Sequence, residues 1–214
     1  MKKGIFISFE GGEGCGKDTQ IKLLEQYFEK NNYEYVSSRE PGGVLIGEEI
    51  RKLLLDAKYE KSPLTQVLLF EASRNEYVDK IVKPAIESGK IFISNRFFDS
   101  TTVYQGYAGN VNRYLINFLN NAVAKTFVPD LTFYLDIEPR IGLERAAKAK
   151  SEFITGDFFE KKNIEFHERL RKGFNELVNL HPERIKKIDG SNSINEVHEA
   201  IVFYLEKFLR NHSE

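Results

Sequence analysis

Short apolar runs alternate along the chain with longer stretches in which apolar residues recur every three or four positions. The runs contain mainly β-branched and aromatic residues, as buried strands do, and lie at residues 4–9, 35–36, 90–94, 131–135 and 185–188. The longer stretches have helical periodicity and lie at residues 17–30, 44–55, 64–86, 111–123, 140–150, 164–180 and 194–208. This alternation predicts an α/β fold with a mainly parallel five-stranded sheet between helices.

The composition is that of a folded, water-soluble domain. Hydrophobic residues make up 41% and charged residues 29% of the 214 residues, which we interpret as one domain spanning 1–214. The least regular stretch, residues 151–159, is interpreted as a mobile flap in a short lid at about 145–160. The formal charge of −1 offers no general attraction for nucleic acid or anionic lipid, so any phosphate binding must be local.

Cysteine content and hydropathy indicate a cytoplasmic protein. The single cysteine, Cys15, has no partner for an intramolecular disulfide, which favours a reducing compartment. No apolar stretch approaches the roughly 18 residues that a membrane span needs. The four histidines lack metal-ligand spacing, so we expect no structural zinc site.

A glycine-rich loop lies between the first predicted strand and the first predicted helix. Residues 11–17 read Gly-Gly-Glu-Gly-Cys-Gly-Lys and satisfy G-x-x-x-x-G-K in the context that this phosphate-binding motif requires. Glycines allow positive φ and let several N–H groups point at a polyphosphate, while Lys17 supplies a mobile positive charge. A plain glycine-rich turn is the alternative, and the flanking strand and helix argue against it. The predicted nucleotide-binding residues are Gly11, Gly12, Glu13, Gly14, Cys15, Gly16, Lys17, Asp18 and Thr19.

The residue after the loop lysine departs from the motif. A Ser or Thr hydroxyl normally ligates Mg²⁺ there, and this chain has Asp18. The Asp18 carboxylate either ligates Mg²⁺ or is an acidic residue in the first turn of a helix, which is favourable by itself. Thr19 offers a hydroxyl one residue further on. We expect ATP with Mg²⁺ as the bound species.

Several further motifs, in the same order over almost the whole chain, resemble those of the thymidylate kinase family. They are Phe9-Glu10-Gly11, Arg39-Glu40-Pro41-Gly42-Gly43, Leu69-Phe70-Glu71-Ala72-Ser73-Arg74, Arg96 with Asp99-Ser100-Thr101, Tyr104-Gln105-Gly106, Pro129-Asp130-Leu131 and Leu135-Asp136. The resemblance implies a three-layer P-loop nucleoside monophosphate kinase fold, transfer of the γ-phosphate of ATP to dTMP in dTTP synthesis, and a homodimer.

Two arginines are expected to bind the acceptor phosphate. Arg39 closely follows the second predicted strand, at the sheet edge where open α/β folds bind ligands, and a guanidinium there can hold a phosphate bidentately. A surface ion pair with Glu40 is the alternative. The resemblance implies that Arg39 and Arg96 grip the 5′-phosphate.

The remaining acceptor residues are expected to contact the nucleoside. Phe70 and Arg74 are four residues apart and share one face of a helix. The resemblance implies that Phe70 stacks on thymine, that Arg74 bonds a base carbonyl and that Thr101 recognises the base edge. Plain core packing is the alternative for Phe70.

Tyr104 and Gln105 follow a turn after the third predicted strand, at the ligand edge of the sheet. The resemblance implies that Tyr104 excludes a ribose 2′-hydroxyl and that Glu13, in the glycine-rich loop, bonds the 3′-hydroxyl. A core or rim aromatic is the alternative for Tyr104.

Two departures from the family pattern concern the metal. The family normally carries Asp-Arg after the third strand, and this chain carries Asn95-Arg96. We hypothesise that the carboxylate added at Asp18 compensates the one missing at Asn95.

Two further departures concern the cations over ATP. The loop has Gly14 where some members carry arginine, and the lid pattern Asp157-Phe158-Phe159-Glu160 has Phe158 in place of arginine. Arg145 and Lys148 share a predicted helix face, so either can reach the phosphates, or both belong to a solvated face.

Two questions stay open at this point. The helical stripe Tyr114, Leu115, Phe118, Leu119 and Ala122 fits either the core or a homodimer face. Alternative functions are a kinase for another nucleoside monophosphate or a nucleoside, and a nucleotide-binding module without catalysis, suggested by Asp18, Asn95 and Phe158. A nucleic-acid partner is poorly supported by the net charge.

Overall fold

Five parallel strands form one sheet in the computed structural model of the chain, which describes residues 4–149 and 158–211. The strands are β1 (Ile5–Glu10), β2 (Tyr35–Arg39), β3 (Ile91–Asn95), β4 (Leu131–Asp136) and β5 (Ile185–Asp189). Their order is β2-β3-β1-β4-β5, and each neighbouring pair is parallel. The predicted sheet is therefore confirmed, and its carboxyl edge collects the loops that follow all five strands.

Helices cover both faces of this sheet. In the described residues they are α1 (Lys17–Lys30), α2 (Leu45–Leu55), α3 (Pro63–Tyr77), α4 (Lys83–Glu87), α5 (Phe98–Thr101), α6 (Arg113–Ala124), α7 (Pro139–Ala149), α8 (Ile164–Leu180) and α9 (Ile194–Asn211). Helices α1 and α9 pack with β1, β3 and β4 around Phe9, Leu24, Phe133 and Ile201. Helix α8 packs on the other face, around Tyr134, Leu170 and Phe174. No helix within residues 4–149 and 158–211 is long and apolar enough to cross a membrane.

The structure differs from the prediction in three places. Strand β2 runs to Arg39 rather than ending at Val36, because its polar residues pair through the backbone with β3. The helix predicted over 64–86 is divided into α3, a π-helical turn at Val78–Val82 and α4. The segment predicted as a turn after β3 is helical, as α5 and a π-helical stretch at Thr102–Ala108.

The missed helix has a physical explanation. Thr102, Val103, Tyr104, Gln105 and Gly106 are all buried, so this stretch has no polar face and no amphipathic periodicity. π-helical turns are rare and occur frequently at functional sites. Of the predicted lid, residues 150–157, including Asp157, lie outside the described part of the chain.

Candidate active site

One cleft of about 970 Å³ lies at the carboxyl edge of the sheet. Its lining includes most of the residues that the sequence singled out: Glu13, Gly14, Cys15, Gly16, Lys17, Asp18, Thr19, Arg39, Phe70, Arg74, Arg96, Thr101, Tyr104, Gln105 and Arg145. Gly11 and Gly12 belong to the same loop but are not among the lining residues. The structure therefore brings together side chains that are spread over more than half of the chain.

The phosphate loop has the backbone that the glycines predicted. Gly11, Gly14 and Gly16 have φ values of 145°, 64° and 97°, a region that residues with a Cβ rarely adopt. Gly16 precedes α1, so the N-terminus of this helix faces the cleft. The Lys17 ammonium donates to the carbonyls of Gly11 and Gly12 at 3.2 and 3.0 Å. The loop thus holds its own lysine beside the space that a polyphosphate would occupy.

Helix α7 packs against the loop by backbone contact. A Cβ on Gly14 would lie 1.9 Å from the Gly142 carbonyl oxygen, and one on Gly142 would lie 2.5 Å from the Glu13 carbonyl oxygen. This contact leaves no room for an arginine at position 14 and explains the glycine there. One turn after Gly142, Arg145 donates to the Gly190 carbonyl at 2.8 Å and lines the cleft. Lys148 is not among the cleft-lining residues of the described chain.

Asp18 and Asn95 contact each other across the loop. The Asn95 amide donates to Asp18 Oδ1 at 2.5 Å, although the two residues are 77 positions apart. Both line the cleft, as does Thr19. The described residues contain no group of three or more His, Cys, Asp or Glu side chains arranged to hold a metal ion. Any ion bound here would therefore share its ligands between this pair, the nucleotide phosphates and water.

Arg96, Glu13 and Tyr104 form a connected cluster beside the loop. Arg96 has a positive φ of 71°, and its guanidinium donates to the Gly11 carbonyl at 2.9 Å and to Glu13 Oε1 at 3.0 Å. The Tyr104 hydroxyl donates to the same Glu13 oxygen at 2.7 Å. Burial alone would raise the pKa of Glu13, but Arg96 and Lys17 bring it below its ordinary value. Glu13 is therefore an ionised acceptor at neutral pH.

The turn that presents Arg96 is held by a residue that the sequence did not single out as a site residue. Glu10, at the end of β1, accepts from the Phe97 backbone N–H at 2.7 Å and from the Ser100 hydroxyl at 2.5 Å. Burial, with the nearby Asp99 carboxylate, raises the pKa of Glu10 to about 7. The position of an acidic residue at the end of a buried strand was the one signal in the sequence that could have suggested this role for Glu10.

Arg74 is fully engaged inside the protein at the far end of the cleft. Its Nε donates to Glu40 at 2.9 Å, its Nη2 to Thr101 Oγ1 at 2.8 Å, and its Nη1 to Glu71 and Asn120. Burial would by itself disfavour the charged form, but the Glu40 and Glu71 carboxylates raise the pKa of Arg74 above its ordinary value. Since Thr101 accepts from Arg74, its own O–H remains a donor toward the cleft.

Arg39 forms an ion pair, but not with the predicted alternative partner. Its guanidinium contacts Glu48 at 3.1 Å, whereas Glu40 is buried against Arg74. The Arg39 side chain is 53% exposed, so this pair contributes little stability and can exchange for a ligand. Arg51 on α2 also lines the cleft and donates to the Pro41 carbonyl at 2.9 Å. Arg51 lies within an ordinary amphipathic pattern, so nothing in the sequence marks it as a site residue.

Phe70 and Gln105 complete this end of the cleft. Phe70 is half-buried and lines the cleft, so it is not a plain core residue. The Gln105 amide donates to Gln66 at 3.1 Å, and its buried carbonyl oxygen has no hydrogen-bond partner within residues 4–149 and 158–211. A buried acceptor without a partner is costly, which makes Gln105 a candidate contact for a donor group.

Comparisons with known proteins identify the family of this chain. A family model described as thymidylate kinase matches residues 9–201. A thymidylate kinase of Thermoanaerobacter pseudethanolicus is 41% identical over 207 residues, which cover 97% of this chain and 100% of that protein. One from Gloeobacter violaceus is 41% identical over 205 residues, or 96% of each chain. The crystal structure of thymidylate kinase from Ehrlichia chaffeensis is similar with a TM-score of 0.77 and 35% identity, covering 95% of this chain and 99% of that one.

Proposed function

This chain belongs to the thymidylate kinase family and transfers the γ-phosphoryl group of ATP to dTMP, and we propose that the cleft described above is where it does so. The observation that carries the proposal is the continuity of the cleft, from the phosphate loop to Phe70, Arg74 and Tyr104. ATP with a labelled γ-phosphate tests it: the label should appear in dTDP when the protein is given dTMP. Label released as inorganic phosphate alone would contradict the proposal.

The donor nucleotide lies at the loop end of the cleft. Loop N–H groups and the N-terminus of α1 bind the phosphates, and Lys17 exchanges its loop carbonyls for phosphate oxygens. Arg145, on α7, places a positive charge at this end of the cleft, where its guanidinium donates to the Gly190 carbonyl. We therefore assign Arg145, rather than Lys148, to ATP.

The acceptor lies at the opposite end. Arg96 and Arg39 flank the position of its 5′-phosphate, and Arg96 is already fixed by the loop. Phe70 offers a half-buried ring on which the base can stack. Thr101 offers an O–H donor to the base, and the hydrogen bond from Arg74 holds the Thr101 side chain in position. Gln105 also lines this end of the cleft, and its buried side-chain oxygen is without a hydrogen-bond partner among the described residues. Tyr104 and Glu13 lie next to the expected position of the acceptor sugar. The ionised Glu13 carboxylate can accept a hydrogen bond from the sugar 3′-hydroxyl.

Catalysis in this cleft rests on positioning and charge neutralisation. An acceptor phosphate has a second pKa of about 6, so at pH 7 it is already mostly dianionic and needs no general base. Lys17, Arg96 and Arg39 place positive charge around the phosphoryl group as it moves in line from donor to acceptor. Fixed geometry supplies the rest of the rate enhancement, because both reactants occupy one preformed cleft.

The residues at the loop are compatible with Mg²⁺. Carboxylate and amide oxygens are hard ligands of the kind Mg²⁺ takes, and it keeps several waters and phosphate oxygens besides. Asp18 supplies a carboxylate and Asn95 an amide oxygen, while the Asn95 amide N–H group donates to Asp18 Oδ1 at 2.5 Å. When bound, Mg²⁺ would neutralise the charge on the donor phosphates. Asp18 is the residue we expect to hold it.

Exchange of the two departing residues tests compensation at the metal. We expect Asp18→Thr and Asn95→Asp each to lower kcat/KM and to change the Mg²⁺ concentration for half-maximal rate, because each alters the carboxylates near the metal by one. The double variant restores one carboxylate and should recover most of the activity, with a coupling free energy of about 0.5–3 kcal/mol. Strictly additive losses would reject compensation.

We also propose a homodimer through α6. Tyr114 and Phe118 are 88% and 68% exposed, whereas Ile116, Asn120 and Ala124 face the interior, so the predicted stripe is not core. Leu68, on the neighbouring helix α3, is exposed as well. Contiguous exposed apolar side chains are typical of interaction surfaces.

Cys15, the single cysteine, supports our placement of the enzyme in the reducing cytoplasm.

A charge on this face should separate the dimer. We expect Phe118→Glu to reduce the solution mass from two chains to one, because a carboxylate would be buried in the interface without a partner. Phe203→Glu is the matched control, since Phe203 is 59% exposed on α9 and should leave the mass unchanged. Light scattering after size exclusion measures both. A wild-type mass of one chain would contradict the homodimer.

A further inference from the structure

Phe159 lies between two of the aromatic residues that we assign to the acceptor. Its ring centroid is 5.3 Å from that of Tyr104 at an interplanar angle of 87°, and 6.4 Å from that of Phe70 at 34°. The side chain is only 6% exposed, yet it lines the cleft. Phe159 therefore bounds the same space as the two rings on α3 and on the π-helical stretch.

The geometry points to Phe159 as a specificity-determining residue, the third aromatic wall of the acceptor nucleoside pocket, which limits the size of the base that the pocket accepts. The inference rests on the proposed function, because it takes Phe70 as the base-stacking ring and Tyr104 as the neighbour of the sugar. The Phe70 and Phe159 rings are tilted by 34° with their centroids 6.4 Å apart, so a base that stacks on Phe70 would have the Phe159 ring at its border. A purine base has a second ring and is larger than a pyrimidine base, so it would need more space between these apolar side chains.

The wall is held in place by its neighbours along the chain. The Phe158 backbone N–H donates to the Leu55 carbonyl at 3.3 Å, and the Lys162 N–H donates to the Phe159 carbonyl at 3.1 Å. The Phe158 ring lies under two ammonium groups, with Lys61 at 4.7 Å and Lys162 at 4.4 Å from its centroid. Phe158, which replaces the arginine of the family pattern, therefore anchors the residue next to it.

The ring of Phe159 packs against apolar side chains. Its ring joins the apolar cluster that contains Tyr104, Phe166 and Phe174. An apolar wall cannot distinguish thymine from other pyrimidines by hydrogen bonding, so its contribution is to the size of the acceptor. Discrimination of the base edge falls to Thr101 and Gln105.

Kinetics of Phe159→Ala and Phe159→Leu test this role. We expect Phe159→Ala to raise KM for dTMP roughly 5- to 150-fold, the range for losing one base–aromatic contact, while KM for ATP is unchanged. The ratio of kcat/KM for dGMP to that for dTMP should rise, because the pocket is wider. Phe159→Leu should show smaller changes in the same direction. Phe127→Ala is the matched control, a half-buried phenylalanine in a different apolar cluster and outside the cleft lining.

The outcomes separate this inference from the proposed function. If the wild-type protein phosphorylates dTMP and a folded Phe159→Ala or Phe159→Leu variant keeps its KM for dTMP and its acceptor ratio, Phe159 is not a pocket wall. An equal rise in KM for ATP would also overturn the inference, since a general disturbance of the cleft would then explain the effect. A wild-type protein inactive on dTMP would instead reject the proposed function. Thermal unfolding of each variant shows which of them are folded.

Discussion

Replacement of Lys17 by methionine is expected to lower kcat by about 10²- to 10³-fold, the usual cost of removing one preorganised charge from the site of charge development. Methionine keeps the length of the side chain but removes the ammonium that the Gly11 and Gly12 carbonyls hold beside the loop. The fold should be unaffected, because those two contacts lie at the surface of the cleft. Initial rates with saturating dTMP and ATP measure the effect.

A second lysine on the same helix provides the comparison. Lys22 lies one turn further along α1 and is exposed to solvent. Lys22→Met removes the same charge from the same helix and should leave kcat within experimental error. Equal losses in the two variants would mean that the total charge of α1 matters and that the ammonium of Lys17 has no special role.

Replacement of Gly14 by alanine is expected to reduce kcat/KM for ATP nearly as strongly. The new Cβ would lie 1.9 Å from the Gly142 carbonyl oxygen, and the residue has a φ of 64°. A left-handed conformation costs a residue with a Cβ about 1–2 kcal/mol, and overpacking costs about 1–3 kcal/mol more. If relief of this strain displaces the loop from its phosphate-binding shape, kcat/KM falls roughly 30-fold or more.

Gly12 offers a control within the same loop. A Cβ at Gly12 would meet no atom of the described part of the chain within 4 Å. Gly12→Ala should therefore lose much less activity than Gly14→Ala, and isothermal titration with ATP should show the same ranking in affinity. A greater loss at Gly12 would contradict the view that the contact between α7 and the loop determines the loop's shape.

The local chemistry of the sequence was sufficient for the framework. Residues 17–30 and 164–180 were predicted as helices and are α1 and α8 with the same bounds, because each has one apolar stripe and polar residues elsewhere. The stretch Thr102–Ala108 was missed because burial on all sides removes that contrast. An amphipathic pattern indicates an element with one buried face and one solvent-exposed face, and the π-helical stretch has no such exposed face.

The site was only partly readable from the sequence. The phosphate loop could be located because its motif is continuous, from Gly11 to Lys17. The pairing of Arg74 with Glu40, 34 positions away, joins separate elements, and no local spacing encodes it. Arg51 and Phe159 line the cleft, and Glu10 is buried beneath it, where it holds the turn after Arg96. All three were missed as site residues, because their positions depend on the packing of other elements.

The contact between Asp18 and Asn95 joins two positions that depart from the family pattern. The sequence suggested that the carboxylate added at Asp18 compensates the one missing at Asn95, but it did not predict that the two side chains touch. The structure places the two side chains in hydrogen-bond contact. Whether the exchange preserves metal binding is the question that the double variant addresses.

The rate of ADP formation from MgATP should be measured with six acceptors in parallel: dTMP, dUMP, UMP, dCMP, dGMP and AMP. Assignment of dTMP as the acceptor predicts the highest kcat/KM for dTMP, because the acceptor end of the cleft combines the Phe70, Tyr104 and Phe159 rings with the Thr101 donor. Preference for another acceptor, or no turnover with any of the six while dTMP still binds, would contradict it.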